Sequence, residues 1–237
     1  MSNPLLKDNI FQTRVRDVGI MTLSGTINKS IILLVLLVMG AFYSWTHPVV
    51  MVPLVIPVLL AAFILALITS FKVNLSPFLS PVYAVCEGFV LGIVSVCFEK
   101  SYPGIVMNAV LVTICVLFCM LAAYRTGMLK ATANFRKVVI LSTSAVGLVY
   151  LIDFLMSFFG TRGISFLSEA SGLGLIISLI ISVIAALNFI MDFDLIERGV
   201  QYGSPKYMEW YSSFALIVSL VWLYLEILNL LSKIRRD

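Results

Sequence analysis

The chain has 237 residues, 61% of them hydrophobic and 12% charged, with a formal net charge of +4. A soluble globular domain is about half apolar and a quarter charged, so this composition excludes a fold surrounded by water and makes lipid the natural solvent. The small positive balance comes without any basic-aromatic cluster, which points to membrane topology and not to nucleic acid.

Residues 1–28 hold Lys7, Asp8, Arg14, Arg16 and Asp17 and lack the apolar core of a removable signal peptide. They predict a cytoplasmic N-terminal tail, with "INKS" (27–30) marking the entry into a transmembrane domain that fills 29–237. Seven apolar runs follow, at 30–46, 49–71, 80–98, 104–124, 138–159, 171–193 and 208–232. Each has the length that a helix needs to cross a bilayer. Turn-forming residues separate them: His47-Pro48, Asn74 to Pro77, Pro103-Gly104, Gly160 to Gly163 and Gly203-Ser204-Pro205. The runs are too long and too evenly apolar for alternating barrel strands. The expected fold is therefore an all-α integral membrane protein, a seven-transmembrane-helix bundle.

The four cysteines, Cys86, Cys97, Cys115 and Cys119, all fall in spans and read as small apolar packing residues. Lys and Arg collect on the cytoplasmic side of membrane proteins. With the N-terminus inside, eleven fall on inner segments against five outside: Lys100, Arg162, Lys233, Arg235 and Arg236. The basic end "SKIRRD" argues locally the other way, and six full spans plus a re-entrant helix would bring it inside.

Ionisable residues are costly in a span and mark interior contacts or wet paths. Here they are all acidic: Glu87 in "YAVCEGFVLG", Asp153 in "VYLIDFLM", Asp192 and Asp194 in "MDFDLIERGV", and Glu226 in "WLYLEILNLL". Such an acid stays protonated, shares a proton with a second carboxylate, or binds a cation through oxygen. By helical rise, Glu87 lies about 12 Å into its span and Asp153 about 24 Å into its own, while Glu226 is about 30 Å along from Lys206. Side chains that faced one another would form a ladder of carboxylates. Structural readings stand beside this one. Asp192, Asp194 and Glu197 could be interfacial, with Asp194 and Arg198 paired one turn apart. Asp153 could be held by a neighbouring hydroxyl, and Glu87, beside Gly88 and Gly92, could serve close helix packing.

Enzyme readings fail on missing parts. The only histidine, His47, is in a loop, so no serine–histidine pair can form in the membrane. "SGLGLI" (171–176) has no aspartate where an aspartyl intramembrane protease needs one, and no phosphate-cradling glycine loop precedes a helix. A mid-helix lysine for retinal is also missing, because Lys206 and Lys233 stand at the ends of the last span. No enzyme activity and no cofactor are expected.

"MTLSGTINKS" (21–30), "FDLIERG" at the end of the sixth span and "LYLEILNLL" in the seventh resemble, in order and spacing, the Bax inhibitor-1 (transmembrane Bax-inhibitor motif) family, in its bacterial branch. The likeness covers essentially the whole chain. It implies six helices around a central seventh, in a bacterial inner membrane. It further implies a pH-sensitive passive calcium leak governed by two acids, here Asp194 and Glu226, which would also be the calcium ligands. These two are 32 residues apart. If the last helix starts near Lys206, Glu226 lies far from Asp194 and meets Asp153 instead, leaving Asp192 and Asp194 with Arg198 or Arg125 as counter-charge or gate. The resemblance equally supports a non-conducting regulator of a membrane protease or complex, acting through the tail or the 125–137 loop.

Overall fold

Hydrocarbon offers no water to backbone N–H and C=O groups, so a spanning segment must pair them within itself. The computed structural model describes residues 19–159 and 171–236, and there the chain does this with seven long apolar helices. These are α1 (Leu23–Thr46), α2 (Pro48–Phe71), α3 (Val73–Ser101), α4 (Ile105–Arg125), α5 (Ala133–Phe158), α6 (Gly172–Gln201) and α7 (Met208–Ile234). Lys7, Arg14, Arg16 and Arg162, which entered the charge count, lie outside the described residues.

Several helices outrun the apolar stretches that predict them, because caps and glycines set their ends. Thr22 caps α1, its hydroxyl accepting from the Gly25 N–H at 3.0 Å, so the helix begins upstream of "INKS". Thr132 caps α5 in the same way through the Phe135 N–H, which draws Arg136 into the helix. α6 runs two turns past Asp194 and stops where Gly203 takes a positive φ of 61°, a conformation that glycine adopts without strain. Asp192, Asp194 and Glu197 are therefore positions within α6. α2 opens with an α turn (Pro48–Met51) and a 3-10 turn (Val52–Leu54) before its regular part, since Pro53 and Pro57 donate no backbone hydrogen bond.

α3 and α7 are the most buried helices and α6 follows closely, whereas α2 is only 6% buried and turns Ile56, Phe63 and Phe71 outward. The structure bears out a bundle of seven spanning helices, and α7 shares its degree of burial with α3.

The chain forms two compact units: the residues up to Val90 with Leu195–Ile217, and Leu91–Asp194 with Val218–Asp237. In the first, α1 and α3 meet through glycines. A Cβ on Gly40 would come within 2.7 Å of the Val85 carbonyl oxygen, and one on Gly88 would clash with the Leu37 carbonyl. Tyr83 and Phe214 pack edge to face nearby at 4.9 Å between centroids. In the second unit, Val146 and Ile181 are buried against Val149, Tyr150, Ile177, Ile184 and Trp222.

Candidate functional site

One face of α5 carries a polar residue every seven positions: Arg136, Thr143 and Tyr150. Seven residues are close to two full turns, so the three side chains stack along one stripe, about 10 Å apart. Each meets a polar partner from another helix of the same unit.

At the first rung, the Arg136 Nη2 donates to Asp194 Oδ1 at 3.1 Å and lies 3.1 Å from Oδ2. Asp194 is buried, while Arg136 keeps about a third of its side chain exposed. A charge-assisted pair of this kind is among the stronger polar contacts. Two residues earlier, Asp192 is also buried and accepts a hydrogen bond from Ser219 of α7. At the middle rung, the Asn188 amide donates to the Thr143 hydroxyl at 3.0 Å and to the Ile184 carbonyl at 2.9 Å.

At the third rung, Glu226 is buried on α7. Its Oε1 accepts from the Tyr150 hydroxyl at 2.7 Å and from the Trp222 indole N–H at 2.9 Å. Its Oε2 is buried with no hydrogen-bond partner among the described residues. Asp153 lies about one turn beyond Tyr150 on α5 and is half-buried. Two turns beyond Glu226, Lys233 is buried and donates to Ser178 Oγ at 2.7 Å and to the Gly174 carbonyl at 3.2 Å, both on α6.

These positions correct part of the sequence reading. Asp194 and Glu226 do not meet: their partners on α5 are fourteen residues apart, about 21 Å along the helix. They cannot share a proton or form a single calcium site. Among the described residues, no group of three His, Cys, Asp or Glu side chains is placed to hold a metal ion. Asp194 pairs with Arg136, which the apolar run starting at 138 leaves outside the membrane; Arg125 is exposed at the end of α4, and Arg198, one turn beyond Asp194 on α6, is half-buried. On α5, Glu226 takes its hydrogen bond from Tyr150, three residues before Asp153. Glu87 is half-buried on α3 in the first unit, next to the close approach at Gly88. Lys233 stands in the last turn of α7, at the helix end where it is expected, with its side chain buried.

The first unit contains a charged cluster that the list of membrane acids misses. Glu209, in the first turn of α7, is buried and pairs with Lys29 of α1. Its Oε1 also accepts from the Thr22 N–H at 2.9 Å and the Thr22 hydroxyl at 3.0 Å. Gly25 leaves room for this carboxylate, since a Cβ there would overlap it. Met21 is buried against Gly199 and its N–H donates to the Ser204 carbonyl at 2.8 Å. The "MTxxGxINK" element is therefore a docking piece: Met21, Thr22, Gly25 and Lys29 all engage α7 or the turn before it. Its signal in the sequence was the motif itself, not the charge of Lys29.

The family model described as Bax inhibitor 1 like matches residues 3–236 of the chain. No curated protein and no solved structure matches it.

Proposed function

The chain belongs to the Bax inhibitor 1 like family, and from that premise we propose that it is a passive leak for calcium or a related cation in a bacterial inner membrane, with its N-terminus cytoplasmic. The observation that carries this reading is the polar stripe of α5, which sets Arg136–Asp194, Thr143–Asn188 and Tyr150–Glu226 in series over about 21 Å of span. Purely structural contacts need no such periodicity. Buried carboxylates at both ends suit a hard cation, which takes oxygen ligands.

In this scheme the Arg136–Asp194 pair is the closed gate. A cation competes with the guanidinium for Asp194 and displaces Arg136 from it. At the far rung, Glu226 attracts the cation while ionised, and its protonation weakens that attraction, which makes the leak sensitive to pH. The cation is cargo, and the reading includes neither a cofactor nor a catalysed reaction.

The test is calcium flux into liposomes holding the purified protein, measured across a range of pH. Asp194→Asn should raise the leak at neutral pH by about tenfold, the equivalent of losing one charge-assisted hydrogen bond at the gate. Glu226→Gln should lower it. If both variants leave the flux and its pH profile at the parental level, the mechanism is wrong. Liposomes silent for the parent, with a membrane protease co-purifying, would replace it with the regulator reading.

A further inference from the structure

The turn between α4 and α5 gathers cations and supplies no acid to balance them. No Asp or Glu stands between Glu99 and Asp153, while Arg125, Lys130, Arg136 and Lys137 form or flank this turn. Both of its ends are pinned to neighbouring residues of α6. Tyr124 packs on Phe193 at 5.8 Å between ring centroids, and Arg136 holds Asp194 at 3.1 Å. Within the turn, Gly127 takes a positive φ of 74°, and the Leu129 N–H donates to the Ala123 carbonyl at 3.1 Å. The chain thus folds back on the last turn of α4. The Lys130 stem lies over Gly127, its Cε 3.3 Å from where a Cβ would stand. These contacts bring Lys130 to the end of α4 that carries Arg125.

Asp194 engages Arg136, but Arg125, Lys130 and Lys137 are exposed and form no ion pair among the described residues. α5 opens without an acid in its first turn, so the positive end of its dipole adds to the same field. Such a field calls for an anion, and two features make that anion a lipid's. Only seven residues, 126–132, join the helices, which keeps the cations at the membrane surface. Lys137 also heads an outward stripe of α5 that continues one and three turns on with Leu141 and Leu148, 70% and 59% exposed. Cations at the surface with an apolar wall below them match the phosphate and the acyl chain of one molecule.

We propose that Arg125, Lys130 and Lys137 form a site for an anionic phospholipid, its headgroup phosphate among the three cations and its acyl chain along the outward face of α5. The site goes beyond the leak reading and does not depend on it.

The experiment adds dioleoyl phosphatidylglycerol or dioleoyl phosphatidylcholine to the full-length protein in detergent and counts bound lipid by native mass spectrometry. One Lys or Arg beside an anionic headgroup is worth about fivefold in affinity, so three should give phosphatidylglycerol an advantage of about a hundredfold. Lys137→Gln should cut that advantage about fivefold, and Lys130→Gln by the same factor. The two together should bring the lipids within about fivefold of each other. Lys100→Gln removes another exposed charge, in the last turn of α3, separated from Arg125 by the length of α4, about 30 Å. It should leave binding at the parental level. Glycerol 3-phosphate, the headgroup anion without a chain, should not displace the lipid. Equal binding of the two lipids, the same loss in Lys100→Gln, or displacement by glycerol 3-phosphate at matching concentration overturns the proposal. So does an acidic protein that co-purifies with the parent and is lost in Lys137→Gln while phosphatidylglycerol binding holds. No flux enters the measurement, so the site stands or falls apart from the leak.

Discussion

Glu209→Gln tests the docking of the "MTxxGxINK" element. Glutamine keeps an oxygen for the Thr22 N–H and hydroxyl but removes the negative charge that faces Lys29. Breaking a fully buried ion pair from one side costs about 3–5 kcal/mol, because the other charge is stranded. Lys29 retains 14% of its side-chain exposure and lies 5.5 Å from the centre of the Trp210 ring, so some of its charge is still compensated. A loss of about 2–3 kcal/mol follows, close to the worth of one hydrogen bond to a charged group. For a chain of this size that is a fall of about 5–10 °C in Tm. Lys29→Met should be worse, since Glu209 is buried more completely than Lys29 and keeps its charge. The double variant removes both charges and should regain part of the loss, giving a coupling of about 1–2 kcal/mol. Thermal unfolding in detergent, followed by fluorescence and checked by size-exclusion chromatography, measures all three. A Glu209→Gln protein that melts within about 1 °C of the parent, or single losses that simply add, would refute the argument.

Two more expectations come from the packing and the stripe. Gly88→Ala pushes a Cβ into the Leu37 backbone, where no flexible side chain can give way, so α1 and α3 must separate. It should cost about 2–3 kcal/mol, an overpacking loss, visible as a lower Tm and a smaller monodisperse yield. Tyr150→Phe takes the shortest hydrogen bond from Glu226 and leaves Trp222 as its remaining donor. Losing it frees the carboxylate on that side, so the calcium flux and the Trp222 fluorescence should both change in the variant. Flux and fluorescence at the parental level would remove Tyr150 from the site.

What the sequence determines on its own is the solvent and everything that follows from it. A composition of 61% hydrophobic residues demands lipid, lipid demands helices, and seven runs of the right length place seven of them. The family was also legible, through short motifs in a fixed order. What hydropathy cannot place is where a helix ends, because a cap or a left-handed glycine decides that and apolarity does not. Thr132 starts α5 early enough to bring in Arg136, and Gly203 ends α6 late enough to enclose Asp194. The remaining choices belonged to the tertiary structure. Lys29 and Glu209 are 180 positions apart and Arg136 and Asp194 are 58, so neither pairing is visible along the chain. The spacing Arg136, Thr143, Tyr150 was present in the sequence from the start, yet it gains meaning only when the facing helices supply Asp194, Asn188 and Glu226 at matching heights. Whether two acids share a proton depends on their separation in space, and the rise of α5 sets that at about 21 Å.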